Sequence, residues 1–380
     1  MKNKVLALMF IGSIGVFAFV LFTARFPEPP ERTIERPVRT QVHRVTVAAS
    51  TAPYMPAGFT APRYWPTRPL TIIVPFLAGG ETNMYARMFA PFLAEILGQP
   101  IYVVNIDGAS GTLGAEWVSR AAPDGYTMLF YHTGNLFTNI LTGATELSHL
   151  DFDIACIAMH CYGNVFLIHS DIGISNSEEF LAYIRANPGS LDVATTITGF
   201  SFKLLRMAEV AGGFRTNPVH VGGGSMMPPS ILGGHTEMAY NNIALFLPYI
   251  KSGELVPLWV AASERNAHLP HVPTMAEAGI EGGYMGRSYF FAFPAGTDEV
   301  ILRRFSDAVR QITEDPVFRQ HIFDAAGMPA FFLPFDKAGA YLDEMWAQLE
   351  NLEEYLRQPQ RIRGIRAIRA IRAHGRRITR

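Results

Sequence analysis

Along the body of the chain, the spacing of apolar residues switches between that of a strand and that of a helix. The first strand and helix predicted in this way lie within 70–97. A run of β-favouring residues predicts a strand at 70–75, and apolar residues at helical spacing predict a helix at 82–97. The pair Gly79-Gly80 between them predicts a loop. A strand, a glycine loop and a helix in this order is a repeating unit of α/β proteins.

The same alternation continues through the chain, which predicts parallel strands with helices on both faces. The chain is long enough for two lobes. Further strands are predicted at 101–104, 126–131, 154–159, 165–169, 191–195, 238–242, 258–262 and 289–293. Further helices are predicted at 113–121, 177–186, 198–211, 298–314 and 336–356. The strand at 289–293 is expected to return to the first lobe.

The two ends of the chain differ from this body. A basic start followed by uncharged residues at 5–22 predicts an export signal peptide or an N-terminal membrane anchor over 1–25. Because no Ala-x-Ala follows, the uncleaved anchor is favoured over cleavage. The Pro-rich stretch 26–63 predicts an extended linker, and 358–380 is a basic Arg-rich tail.

Charge is distributed very unevenly along the chain. The whole chain carries −1, so eight Arg in 361–380 and a net +5 in 1–63 leave residues 64–360 at −14. An acidic body lacks the general basic field of a nucleic-acid-binding protein. Any anion bound there must be held by short-range dipoles.

The cysteines and histidines give no strong chemical signal. Cys156 and Cys161 form either a disulfide or, more in keeping with their spacing, two unrelated thiols. His160 beside them lacks further ligands at a plausible spacing, so we expect neither a metal nor a cofactor.

The glycine loop at 79–80 is the first candidate binding site. The first N–H groups of a helix lack intrahelical partners, and the helix dipole adds partial positive charge there. A carboxylate or phosphate over Gly79, Gly80 and Thr82 would therefore be bound by the backbone. The alternative is that the glycines only turn the chain and that Thr82 caps a helix.

Several motifs in order resemble one known family, the periplasmic substrate-binding proteins of tripartite tricarboxylate transporters, also called Bug-type receptors. The resemblance covers 64 to about 357. The motifs are YWPTRP at 64–69, VPFLAGG at 74–80, GASGTLGA at 108–115, APDGYT at 122–127, ANPG at 186–189, VPTMAEAG at 272–279 and PAGT at 294–297.

The resemblance implies a two-lobed periplasmic-binding-protein-like fold, a Venus flytrap with mainly parallel α/β sheets and crossover strands. Lobe I would comprise 64–165 plus 287–357, and lobe II would comprise 166–286. A small carboxylate would be bound between them for delivery to the large and small membrane subunits of the transporter. The implied contacts in the first lobe are Phe76, Ala78, Gly79, Gly80, Thr82, Asn83, His132, Thr133, Gly134, Asn135 and Asn139. Those in the second lobe are Thr196, Thr198, Gly199, Ser201, Gly223, Gly224, Ser225 and Asn241.

Departures from the family pattern bear on the ligand. Family members often have an acidic residue where this chain has Asn83 and Asn241, and such an acid can bind an ammonium group. With amides at both positions, we expect a ligand without an amino group. Val221-Gly222 and Ile197 also depart from the pattern, so the second-lobe face is expected to accept a larger or more apolar ligand, or to have lost binding.

Two other functions are considered beside the receptor. An enzyme is disfavoured, because His132, His160, His220 and His235 are scattered without a nucleophile elbow, a zinc pair or a P-loop. The alternative is an interaction or sensory protein that keeps the fold and uses its basic tail, which could contact anionic lipid. No specific nucleic-acid partner is expected.

Overall fold

Ten strands and ten α-helices follow one another along the part of the chain described by the computed structural model, residues 65–161, 163–196, 199–282 and 286–357. The strands are β1 (Leu70–Val74), β2 (Ile101–Asn105), β3 (Thr127–His132), β4 (Phe152–Cys161), β5 (Asn164–His169), β6 (Asp192–Thr195), β7 (Asn217–His220), β8 (Met238–Asn242), β9 (Leu255–Ala261) and β10 (Arg287–Pro294). The helices are α1 (Glu81–Leu97), α2 (Thr112–Ser119), α3 (Thr133–Leu141), α4 (Ser177–Ala186), α5 (Phe200–Gly212), α6 (Met227–Leu232), α7 (Leu247–Ser252), α8 (Glu299–Glu314), α9 (Pro316–Ala326) and α10 (Phe335–Arg357).

The strands form two five-stranded sheets, one in each lobe. The first has the order β2-β1-β3-β10-β4, and the second has the order β7-β6-β8-β5-β9. The chain passes from the first sheet to the second between Cys161 and Asn164, and returns between Ala261 and Arg287. The strand expected at 289–293 lies in the first sheet, as predicted.

The sheets are mixed, whereas the sequence suggested mainly parallel ones. β1 pairs in parallel with β2 and β3, but β10 runs antiparallel to both β3 and β4. In the second sheet β6 is parallel to β7 and β8, while β5 is antiparallel to β8 and β9. The antiparallel strands β10 and β5 each follow a crossing between the sheets, so they do not arise from right-handed β-α-β connections.

Aromatic side chains fill the core of each lobe. In the first lobe the Phe89 ring of α1 lies 4.6 Å from Phe318 of α9 and 5.4 Å from Phe291 of β10. In the second lobe Phe166 stacks on Trp259, with ring centroids 4.4 Å apart. Phe180 of α4 lies 5.5 Å from the Phe166 ring, so aromatic rings join a helix to the sheet in each lobe.

The lobes are connected by buried polar contacts near the first crossing. The Asn242 amide donates to the Tyr85 hydroxyl at 3.1 Å and to the Cys161 sulfur at 3.1 Å. The Tyr85 hydroxyl lies 3.3 Å from Asn242 Oδ1 and donates to it. A polar cluster from α1, β4 and β8 therefore lies where the chain changes sheets.

Some predicted segments lie outside the described residues: the N-terminal segment 1–25, the linker 26–63, the basic tail 358–380 and Thr198. None of the helices that the structure describes is both long enough and apolar enough to cross a membrane.

Candidate functional site

The loop before α1 forms the first side of the candidate site. Gly79 has φ +85°, a left-handed conformation that glycine adopts without strain. Gly80 caps α1 and contributes no side-chain hydrogen bond. Ala78 is exposed, whereas Thr82 is buried in the first turn of the helix. As in any α-helix, the first N–H groups of α1 lack an intrahelical acceptor.

The Asn83 side chain braces this loop from inside the first lobe. Its Oδ1 accepts from the Gly79 N–H at 3.4 Å and from Arg87 Nε at 3.2 Å. Its Nδ2 donates to Asn105 Oδ1 at 2.9 Å, and Asn105 donates onward to the Phe76 carbonyl at 2.8 Å. The structure thus places Asn83 at the site as a support of the loop.

His132 and the start of α3 form the next element of the first lobe. The segment 132–135 is the start of α3, with His132 as its N-cap. His132 Nδ1 accepts from the Asn135 N–H at 3.2 Å, and its ring stacks on Phe76 at 5.2 Å. Burial, and secondly the charge of Arg287, hold the pKa of His132 well below its usual range. His132 is therefore a neutral cap of α3 at pH 7.

The Ser110 carbonyl fixes the second glycine loop to the same helix. It accepts from Asn135 Nδ2 at 2.9 Å, from Asn139 Nδ2 at 3.0 Å and from the Tyr131 hydroxyl at 3.2 Å. Ala109 and Ser110 have φ values of +47° and +55°, which non-glycine residues seldom adopt. The sequence singled out this loop as a motif but not Ser110 as a site residue.

In the second lobe the corresponding element is the start of α5. Gly199 caps the helix and makes no side-chain hydrogen bond. Ser201 Oγ lies 3.0 Å from both Thr195 Oγ1 and Thr196 Oγ1 and accepts from the Thr196 N–H at 3.2 Å. This hydroxyl cluster positions the helix start toward the first lobe.

The helix starts of the two lobes are in contact. The Phe200 N–H of α5 donates to Asn135 Oδ1 of α3 at 3.2 Å. A Cβ placed on Gly134 would lie 2.7 Å from the Phe200 ring, and one on Gly199 would lie 3.6 Å from Ser110 Oγ. Thr133 lies beside them and is buried. The predicted residues of the 132–135 and 199–201 segments are therefore brought together.

The loop at 223–225 lies opposite the start of α1. A Cβ on Gly79 would lie 3.7 Å from Ser225 Cβ, and one on Gly80 would lie 3.8 Å from the Ser225 backbone nitrogen. One on Gly224 would lie 2.8 Å from Glu81 Oε2. Gly223, next in the chain, is partly buried. Glycines on both sides let the two backbones approach closely.

A buried ion pair lies at the centre of these loops, and the sequence did not indicate it. Arg287 Nη2 of β10 lies 3.1 Å from Glu81 Oε1 of α1, and the side chains are 3% and 8% exposed. Arg287 Nη2 also donates to Asn241 Oδ1 at 3.2 Å. The guanidinium carbon lies 5.5 Å from the Phe200 ring centre. The candidate site thus contains the Glu81 carboxylate in addition to the amides of Asn83 and Asn241. Arg287 balances the charge of Glu81.

Within the described ranges, no group of three or more His, Cys, Asp or Glu side chains is arranged to hold a metal ion. Cys156 and Cys161 are both buried free thiols, so the disulfide alternative is wrong.

A serine and a histidine do lie within hydrogen-bond distance, away from the helix starts. His160 Nδ1 is 2.8 Å from Ser288 Oγ, which is 2.8 Å from the Tyr341 hydroxyl. Ser288 is completely buried. A substrate cannot reach a hydroxyl in that position, so this group connects α10 to the first sheet rather than forming a nucleophile and its base.

Comparison with known proteins gives a consistent family. Residues 85–333 match the family described as "Tripartite tricarboxylate transporter family receptor". The "UPF0065 protein in gbd 5'region" of Cupriavidus necator is 31% identical over 290 residues, 74% of this chain and 86% of that protein. BugT of Bordetella pertussis is 27% identical over 302 residues, 77% of this chain and 92% of BugT.

A solved structure adds to these sequence relatives. MatC from Rhodopseudomonas palustris, determined with bound malate, has a TM-score of 0.67 and 25% identity, covering 76% of this chain and 100% of MatC. The matching family is one of receptors, and BugD, a solved structure with 25% identity and a TM-score of 0.67, is described as a periplasmic binding protein, so by family this chain is a binding protein rather than an enzyme. With its glycine loops and two-lobed fold, the chain belongs to the family of tripartite tricarboxylate transporter receptors.

Proposed function

We propose that the chain is a periplasmic solute receptor that binds a small carboxylate between its lobes. The observation that carries this proposal is the pair of helix starts with a glycine as N-cap, Gly80 of α1 in the first lobe and Gly199 of α5 in the second, of which the second already donates its Phe200 N–H to Asn135 Oδ1. Each faces a loop of the opposite lobe. An acid group placed between them would accept N–H bonds from both lobes.

Binding of this kind would favour closure of the lobes. A ligand that contacts both helix starts gains bonds in the closed state that it lacks in the open state, so it shifts the population toward closure. A dissociation constant of about 1 μM corresponds to about 8 kcal/mol. Several charge-assisted hydrogen bonds with exclusion of water can supply that amount.

The relatives support the choice of ligand and location. The MatC structure was determined with malate, a dicarboxylate, and BugD is described as a periplasmic binding protein. We propose a ligand of the same class, without an amino group, and delivery to the large and small membrane subunits of a tripartite tricarboxylate transporter.

Thermal-shift screening of the purified full-length chain against mono-, di- and tricarboxylates and amino acids tests the proposal. A ligand that binds the folded state raises the unfolding temperature by mass action, so malate or a related acid should raise it and amino acids should not. Isothermal titration with the best acid should then give saturable binding. The absence of any shift across the whole set of acids would refute the receptor proposal.

A further inference from the structure

The Glu81 carboxylate lies between the two lobes, at the point where a bound acid would be expected. Glu81 is the first residue of α1, next to the uncapped helix start. Its Oε2 faces the loop of the second lobe, 2.8 Å from the position that a Cβ of Gly224 would take. The chain therefore places one of its own acid groups against both lobes.

Arg287 pairs with this carboxylate and has an N–H donor that Glu81 does not use. Its Nη2 lies 3.1 Å from Glu81 Oε1 and donates to Asn241 Oδ1 at 3.2 Å. Its Nε is buried and, in the part of the chain that the structure describes, has no hydrogen-bond acceptor. A guanidinium binds a carboxylate best through two parallel N–H bonds, and Glu81 here takes a single nitrogen. A buried donor without an acceptor is unfavourable, so a better acceptor would be bound more strongly.

We propose that Glu81 is an internal competitor of the ligand, and that Arg287 is the cation that anchors the ligand's acid group. In the ligand-free protein Glu81 balances the Arg287 charge. When the lobes are apart, an entering carboxylate accepts from the Nε and Nη2 of Arg287 and displaces Glu81 Oε1 from Nη2. This inference rests on the proposed receptor function and names the residues that set its affinity. The protein would retain only those acids that bind Arg287 more tightly than Glu81 binds it.

Substitution of Glu81 distinguishes a competitor of the ligand from a member of a purely structural ion pair. In Glu81→Gln the Arg287 charge remains buried without a counter-charge, which is costly. We expect a lower unfolding temperature in chloride buffer, recovery on addition of acetate, and affinity for malate increased by about tenfold or more, since the ligand no longer displaces a carboxylate. Glu314→Gln is the matched control, because Glu314 pairs with Arg310 at 3.2 Å on an exposed helix face. It should show none of the three effects.

A double variant keeps the test decisive if Glu81→Gln does not fold. Glu81→Gln with Arg287→Met removes both buried charges, a replacement that proteins tolerate well. It should fold, show no stabilisation by acetate, and lose most of the malate affinity of the unmodified chain.

The outcomes distinguish the inference from the receptor proposal. If the unmodified chain binds malate or another screened acid, but Glu81→Gln binds it no more tightly and is not stabilised by acetate, the inference is wrong and the receptor function stands. A double variant that retains full affinity would also refute the role of Arg287. If neither the unmodified chain nor any variant responds to any acid, both proposals fail.

Discussion

The contact between Gly134 and Phe200 allows lobe closure to be perturbed without disturbing either lobe. Gly134 is the second residue of α3, and its substitution by alanine would place a Cβ 2.7, 2.8 and 3.0 Å from three carbons of the Phe200 ring. Carbon atoms in favourable contact are about 3.5–4.0 Å apart. Phe200 is 1% exposed, so its ring has little room to move. The lobes must therefore separate slightly to accommodate the methyl group.

The free energy needed to separate the lobes determines how much ligand affinity Gly134→Ala loses. Inserting a methyl group into a packed contact costs about 1–3 kcal/mol. At about 1.4 kcal/mol for each tenfold change, the affinity for a ligand that needs closure should fall about five- to 150-fold. Stability should not fall in parallel, because alanine favours a helix over glycine by about 0.5–1 kcal/mol.

Isothermal titration of Gly134→Ala with malate, or with the acid that gives the largest thermal shift, measures this loss. Gly339→Ala is the matched control, since Gly339 lies in α10 and a Cβ there meets nothing within 4 Å. Combining Gly134→Ala with Phe200→Leu should restore part of the affinity, because the smaller side chain relieves the contact. Unchanged affinity in Gly134→Ala would show that the lobes do not close onto this contact when ligand binds.

Three further predictions concern stability. Burial lowers the pKa of His160 from 6.5 to about 4. Stability should therefore be complete above pH 6.5 and fall by about 3 kcal/mol as the pH drops toward 4, because the unfolded chain takes up the proton first. Urea unfolding across this range checks the loss, which should be about 3 kcal/mol smaller in His160→Gln, while the part due to His132, whose pKa is also lowered, should remain. Glu209→Ala should destabilise the protein by about 1–3 kcal/mol in urea unfolding, because a buried N–H loses its acceptor. That N–H belongs to Thr216, which donates to Glu209 Oε1 at 2.8 Å. Since Cys156 and Cys161 are free, a reducing agent should leave the unfolding temperature unchanged, and a drop would contradict the structure.

Strongly periodic segments were predictable from the sequence. The helix Ser177–Ala186 and the strand Met238–Asn242 agree residue for residue with the prediction. In the first, apolar positions recur at helical spacing after an Asn cap. The second is a short β-favouring run between a loop and a polar end.

Segments with weak periodicity were missed. β7 contains Pro218 and lies at the edge of the second sheet, where a proline is tolerated but gives no strand signal. The helices Met227–Leu232, Leu247–Ser252 and Pro316–Ala326 each begin beside prolines, which suggest a loop when read locally. Tertiary packing decides their structure.

The sequence indicated the glycine loops of the candidate site but not its buried ion pair. Glycine loops mark strand-to-helix junctions by their spacing, so Gly79 and Gly80 could be singled out from the residues, whereas Gly199 was implied only by the family resemblance. Glu81 looks like an ordinary acidic residue in a first helical turn, and Arg287 looks like a charge flanking an apolar strand. Their pairing depends on the distance between α1 and β10, which a single sequence does not encode locally.

The first crossing between the sheets constrains how the receptor can move. Only two residues separate Cys161 from Asn164, so the lobes can rotate about this joint but have little freedom to slide past each other. The Asn242 amide and the Tyr85 hydroxyl bond each other beside this crossing, where Asn242 also donates to the Cys161 sulfur. The hydrogen bond from Phe200 to Asn135 also joins the lobes, and the Phe200 ring lies 5.5 Å from the guanidinium carbon of Arg287, at the start of the returning strand. Opening of the lobes by a rotation at this joint would therefore have to break the Phe200–Asn135 hydrogen bond.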